Sequence, residues 1–140
     1  MFMGEYNHTI DAKGRVIVPS KFRETLGDEF VVTKGLDGCL FVYDNNEWAA
    51  FEEKLKSLPI TNKDARQFVR FFLAGAASVE VDKQGRITIP AYFMDAAEFD
   101  REIFILGTGR HVEFWNPAVW DAMEAQELSD ADDLKVEMAY

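Results

Sequence analysis

Cysteine, histidine and proline are scarce in this chain of 140 residues, which holds one Cys, two His and four Pro. A single thiol excludes an intramolecular disulfide framework and leaves too few sulfurs for a cysteine-based zinc site. No apolar run approaches the ~18 residues that a membrane span needs. The opening Met1-Phe2-Met3-Gly4-Glu5 lacks the basic start and apolar stretch of a secretory signal, so the expected compartment is the cytoplasm. Wholesale disorder is excluded as well, because 48% of residues are hydrophobic and 14% aromatic, with 12 Phe; that is enough to build a core. The length fits one compact domain better than two full-sized ones.

Net basicity, the usual mark of a nucleic-acid binder, is also lacking. Fifteen Lys and Arg stand against 25 Asp and Glu, a formal net charge of -10. The distribution is uneven. Between His8 and Arg23, Lys13, Arg15, Lys21 and Arg23 face only Asp11, whereas between Asp121 and Glu137 seven carboxylates face only Lys135. The average hides a basic stretch and an acidic tail.

What the chain does have is an internal repeat. Asp11-Ala-Lys-Gly-Arg15-Val-Ile-Val-Pro19 reappears as Asp82-Lys-Gln-Gly-Arg86-Ile-Thr-Ile-Pro90, 71 residues later, with Phe22 matching Phe93. After a one-residue slip, Val31-Val32 align with Ile103-Phe104, Tyr43 with Trp115 and Trp48 with Trp120, at an offset of 72. Solenoids need about three repeats or more to stack a stable core, and a lone half of this size is marginal. Two copies therefore predict halves that bury their apolar faces on each other about a pseudo-two-fold axis, a duplicated homodimer written as one chain.

Each copy carries the same local signals. Tyr6, His8 and Ile10 alternate with Asn7 and Thr9, a strand pattern. Asp11 to Gly14 reads as a turn, in which Asp bonds the following backbone and Gly accepts positive φ. Arg15 to Val18 resumes as a strand, which predicts a hairpin. Pro19-Ser20 opens a short helix stopped by Gly27. Two strands follow, at 30–32 and 40–43, and then a helix capped by Asp44 with Glu47; Trp48, Phe51, Leu55 and Leu58 line one face of it. The second copy offers strands at 77–81, 86–89, 103–106 and 112–115, and a helix starting at Asn116-Pro117. A linking helix is predicted over 61–74, with Phe68, Phe71 and Phe72 more apolar than one covered face requires, which points to an interface. The class is α+β, in four segments: first repeat 1–60, linking helix 61–75, second repeat 76–128, acidic tail 129–140.

Chemistry concentrates at the two Asp-x-x-Gly-Arg turns. One reading is structural, a tight turn with a local Asp–Arg pair. The other adds that Arg15 and Arg86 are exposed forks able to pair bidentately with phosphate or a guanine edge. Two forks related by a pseudo-dyad suit a repeated polyanion. Catalytic alternatives are thin. His8 and His111 do not align, no metal-ligand spacing appears, and Cys39 has no neighbouring cation in sequence to activate it. Gly35-Leu-Asp-Gly38 and Gly107-Thr-Gly109 lack the Lys-Ser/Thr of a phosphate loop. Trp48, Phe51, Trp115 and Trp120 sit at core-like spacing beside acids, so they read as packing and not as base-stacking platforms. Neither a metal nor a cofactor is expected, and no enzyme activity. An enzyme built on Asp11 and Asp82 is the remote alternative.

Met1-Phe-Met-Gly4, Tyr6-Asn-His8, Asp11-Ala-Lys-Gly-Arg15, Pro19-Ser-Lys-Phe-Arg23, Asp82-Lys-Gln-Gly-Arg86 and Glu113-Phe-Trp115 together resemble the bacterial MraZ family, from about Met1 to Leu128. The paired Asp-x-x-x-Arg motifs are its specific mark. The resemblance implies two swapped-hairpin, AbrB-like halves that form one small β-barrel-like core with short helices. It implies a homo-oligomeric ring of about eight to twelve chains. It also implies a nucleoid-associated transcriptional regulator of the cell-division and cell-wall gene cluster, binding short G-rich direct repeats in double-stranded promoter DNA. Carried over residue by residue, it assigns DNA contacts to Arg15 and Arg86, with Lys13 beside the first. Gln84 stands where Lys13 does, and the lysine of the second turn moves to Lys83. Asp11 and Gly14, with Asp82 and Gly85, are expected to hold the turns and aim the arginines. The rival reading is a ring-forming interaction protein whose turns are purely structural.

Overall fold

In the computed structural model, residues 1–129 are described; the acidic tail expected over 129–140 lies outside them apart from Ser129, which ends the last helix. The order of elements is β1 (Phe2–Thr9), β2 (Arg15–Ile17), α1 (Ser20–Leu26), β3 (Glu29–Lys34), β4 (Leu40–Tyr43), α2 (Asn45–Lys56), α3 (Lys63–Leu73), β5 (Ala77–Glu80), β6 (Arg86–Thr88), α4 (Ala91–Ala96), β7 (Glu102–Gly109), β8 (Val112–Trp115) and α5 (Pro117–Ser129). The fold is α+β. The helix starts follow the caps. Asp44 accepts from the Glu47 N–H at 2.9 Å, Asn62 from Ala65 at 3.1 Å and Asn116 from Ala118 at 2.9 Å. Each of these satisfies an N–H that has no carbonyl partner inside its helix. Gly27, at φ 80°, ends α1 by donating its N–H to the Arg23 carbonyl.

Pairing exchanges strands between the two copies. A six-stranded antiparallel sheet runs β1-β7-β8-β4-β3-β5, and β2 pairs with β6 in a separate two-stranded ribbon. Under the repeat β1 corresponds to β5, β3 to β7 and β4 to β8, so the sheet order maps onto itself when the copies are swapped. The pseudo-dyad passes through the Phe41–Glu113 pair of the sheet and the Val16–Ile87 pair of the ribbon. The local hairpin predicted for 6–18 closes without a ladder: a single bridge, Ile10 to Val16, joins β2 to the residue that follows β1. A three-residue strand gains more by pairing with its counterpart, where both central residues bury.

The six-stranded sheet is not closed into a barrel, and its central strands are covered on both faces, while the edge strands β1 and β5 are largely exposed. On one face, Val16, Val18, Ile87 and Ile89 from the ribbon side pack with Phe22 and Phe93 of the short helices against Phe30, Leu40, Ile103 and Phe114. This is the barrel-like core. On the other face, Phe41, Tyr43, Phe104 and Trp115 meet Leu55 of α2 and Phe72 of α3, with Trp48, Phe51 and Trp120 at the margin. Residues 40–43 are buried throughout, the expected consequence of a strand covered on both sides. Of the three phenylalanines expected at an interface, Phe72 is taken into this core, while Phe68 and Phe71 remain partly exposed.

Candidate nucleic-acid interface

The first turn is organised by one carboxylate. Asp11 Oδ1 accepts from the backbone N–H of Lys13 and of Arg15, both at 2.9 Å, and Oδ2 accepts from Arg15 Nε at 2.7 Å. The Gly14 N–H closes the turn on the Asp11 carbonyl at 3.0 Å, with Gly14 at φ 78°, a conformation that favours glycine. The second turn repeats these bonds. Asp82 Oδ1 accepts from Gln84 and Arg86 N–H at 2.9 Å each, Oδ2 accepts from Arg86 Nε at 2.8 Å, and Gly85 sits at φ 79°. The Arg15 backbone N–H, followed by its guanidinium and the Lys13 N–H, holds the Asp11 carboxyl below its usual range. Arg86 and Gln84 do the same for Asp82. Each aspartate is thus committed to its own arginine, and no carboxylate pair forms across the dyad.

The ribbon brings the two turns together. Arg15 pairs with Thr88 and Arg86 with Ile17 on either side of the buried Val16–Ile87 pair. Alternation puts Arg15, Ile17, Arg86 and Thr88 on the opposite, outward face, and the two arginines are diagonal neighbours with backbones about 7–8 Å apart. The turns also brace each other: Gly14 O accepts from the Ile89 N–H at 2.8 Å and Gly85 O from the Val18 N–H at 3.0 Å. His8 Nδ1–H donates to the Ile17 carbonyl at 2.6 Å, tying β1 to the edge of β2 that β6 leaves open.

The turns differ in their surroundings. Arg86 Nη2 donates to Gln84 Oε1 at 2.8 Å. Lys13 occupies the Gln84 position in the first turn and offers no acceptor, so Arg15 is held through Nε alone among the described residues. Lys13 and Lys83 are both exposed at the turn tips. Arg23, which the reading of the sequence did not single out, crosses from the first copy to the second turn: Nε donates to the Val18 carbonyl at 3.0 Å, and the guanidinium lies against Gly85. Its counterpart is Met94, packed at the edge of the core. The repeat alignment could have flagged this mismatch, but only the strand exchange shows which turn receives Arg23.

Groups with catalytic potential are occupied elsewhere. Cys39 is buried, donates to the Leu36 carbonyl at 3.2 Å and has its thiol pKa pushed up by burial and by Glu113 and Asp37. Tyr43 is raised to about 12 by burial, Glu113 and Glu47. His111 lies 3.4 Å from Glu113, which also accepts from the Trp115 indole at 3.0 Å. Among the described residues no group of three or more His, Cys, Asp or Glu could hold a metal ion, and no helix is long and apolar enough to cross a membrane.

The arrangement has relatives. A family model described as "MraZ protein, putative antitoxin-like" matches the chain twice, over residues 1–71 and 72–137. A protein of Acetivibrio thermocellus is 53% identical over 139 residues, covering 99% of this chain and 97% of its own length. One from Caldanaerobacter subterraneus subsp. tengcongensis is 55% identical over 137 residues, covering 98% and 92%. One from Thermoanaerobacter sp. strain X514 is 59% identical over 121 residues, covering 86% and 85%. All three carry the name "Transcriptional regulator MraZ". A double match to the family model and identities above one half across nearly the whole length place this chain in the MraZ family.

Proposed function

We propose that this chain is a transcriptional regulator that binds double-stranded DNA sequence-specifically through Arg15 and Arg86. One observation carries the reading: two arginines, each clamped at Nε by its own aspartate, share the outward face of one two-stranded ribbon. A β-ribbon fits the major groove of B-DNA, where an arginine fork pairs with guanine O6 and N7. Backbones about 7–8 Å apart correspond to roughly two base steps of 3.4 Å. A clamped guanidinium also loses less freedom on binding than a free one. Lys13 and Lys83 serve the phosphates beside each turn, while Asp11, Gly14, Asp82 and Gly85 act through the arginines without touching DNA.

The targets are G-rich direct repeats in the promoter of the cell-division and cell-wall cluster, and repeats 1–60 and 76–128 form one reading unit. A closed ring of such units presents successive identical sites to direct repeats, whereas an isolated two-fold dimer favours a palindrome. The net charge of -10 keeps sequence-blind affinity low and leaves binding to a few cations and to multivalency. The role is non-enzymatic, cytoplasmic and nucleoid-associated. The test is fluorescence anisotropy with a duplex from upstream of the protein's own gene against a shuffled duplex, for wild type and the Arg15→Ala/Arg86→Ala variant. Preferential binding lost in the variant at unchanged native mass is expected. A ring of normal mass that binds neither duplex would leave the interaction-protein reading in its place.

A further inference from the structure

The outward face of the ribbon holds two residues besides the arginines, and their chemistry is not that of a phosphate site. Ile17 is 51% exposed although its neighbours Val16 and Val18 are buried. Its backbone is fixed on both edges, by the pairing with Arg86 and by the His8 bond to its carbonyl. An isoleucine directly across from a clamped arginine is left about half uncovered by the described residues. Against the major groove it has a partner: thymine presents its C5 methyl there, and apolar side chains read that group by contact. We infer that Ile17 is a specificity-determining residue that reads a thymine methyl beside the guanine taken by the arginine opposite it, Arg86. This rests on the DNA-binding reading above. Thr88, the pseudo-symmetric mate of Ile17, stands across from Arg15 and carries one methyl and a hydroxyl. The hydroxyl can accept or donate, so the Arg15 half of the ribbon is the more permissive reader. The duplicated turns therefore hold similar arginines but unequal neighbours, which makes each half of the bound sequence distinguishable.

The experiment replaces each thymine of the bound upstream duplex in turn by deoxyuridine, which removes the C5 methyl and leaves base pairing intact. Wild type is expected to lose about fourfold in affinity, the value of one buried methyl group, at a thymine adjacent to a guanine. Ile17→Ala should bind the unmodified duplex more weakly by a similar factor and be indifferent to that deoxyuridine, while Ile17→Val keeps the effect. Wild-type indifference to every deoxyuridine, with the Arg15→Ala/Arg86→Ala loss intact, overturns the methyl reading and leaves the arginine reading standing. Failure to bind any duplex overturns both. A deoxyuridine penalty that persists in Ile17→Ala, or a change of native mass in that variant, assigns Ile17 another role and overturns the inference.

Discussion

Gly14 and Gly85 sit at nearly the same φ, 78° and 79°, yet alanine should cost more at the second than at the first. A side chain in the left-handed region costs about 1–2 kcal/mol. Reduced freedom of the unfolded chain offsets about 0.4–1 kcal/mol of that. At Gly14 the new Cβ would touch only the Ile89 carbonyl, at 3.4 Å, so the net loss is about 1 kcal/mol. At Gly85 it would run into the Arg23 guanidinium. The side chain must swing away and give up its bond to the Val18 carbonyl, an interaction contributing about 0.5–1.5 kcal/mol. Gly85→Ala is therefore expected to lose about 1 kcal/mol more than Gly14→Ala. Urea unfolding at fixed protomer concentration measures both, since an oligomer's apparent stability depends on concentration. The decisive arm repeats the pair in an Arg23→Ala background, where the difference should vanish. Equal costs in the parent, or a difference that survives Arg23→Ala, would refute the argument that Arg23 and Gly85 are energetically coupled.

Lys13→Gln gives the first turn the acceptor that the second already has, and removes one phosphate partner; the slope of log K against log salt should flatten by about 0.9, with sequence preference unchanged. A changed preference at constant slope would make Lys13 a base reader. The lowered carboxyl pKa values of Asp11 and Asp82 mean that the stabilisation they contribute is complete above the ordinary aspartate value. It is lost only as pH falls through the lowered folded values. The Arg15 and Arg86 Nε–H resonances should therefore stay protected on acidification below about pH 4, and loss of protection above that point would contradict the observed clamps. Thr33, fully buried, donates from Oγ1 to the Phe72 carbonyl at 2.6 Å. Thr33→Val strands a carbonyl in the last turn of α3 and should cost about 1–3 kcal/mol in urea unfolding without altering DNA affinity.

The sequence made local structure legible wherever a short-range rule decides it. The Asp-x-x-Gly turns, the Asp44, Asn62 and Asn116 caps and the Gly27 stop all depend on bonds spanning a few residues. Strand partners depend on which surfaces bury together, and there the local pattern gives only part of the answer: residues 6–18 look like a hairpin, yet Val16 makes a single local bridge, to Ile10, and its ladder is with β6 around Ile87. The resemblance pointed to that exchange, and periodicity alone could not. Phe72 shows the same limit. Beside Phe68 and Phe71 it reads as surplus apolar surface, but α3 lies over β3, where Thr33 bonds it and Phe51 packs edge-on at 5.1 Å. In the sequence Arg23 belongs to a basic stretch and to the Pro19–Arg23 motif, but nothing local shows its target, because Gly85 is 62 positions away in the chain.

Strand exchange makes each turn a joint product of both repeats, and this changes what duplication allows. In a homodimer a substitution appears in both turns at once. In this chain Arg23 and its counterpart Met94 have diverged, as have Lys13 and Gln84, and in each pair the difference alters the charge at one turn only. The second turn lacks a lysine at the Gln84 position, and it is the turn against which Arg23 lies. The first turn has Lys13, and Met94, the counterpart of Arg23, packs against the core instead of carrying a charge. Cationic character is thus kept at both turns by different residues drawn from the same half of the sequence. That explains how residues 8–23 can be basic while the second copy of the motif is nearly neutral. If DNA is the ligand, charge substitutions in the first repeat should alter the response of both turns to salt, whereas Lys83 should affect its own turn alone. Measuring salt slopes for Arg23→Gln and Lys83→Gln in an Arg15→Ala background isolates the second turn. The expected result is a flatter slope for both variants, with the larger loss of affinity for Arg23→Gln, because its guanidinium is held in place by Val18 while Lys83 is free at the tip. A slope unchanged by Arg23→Gln would reduce that residue to a packing role and return the two repeats to independence.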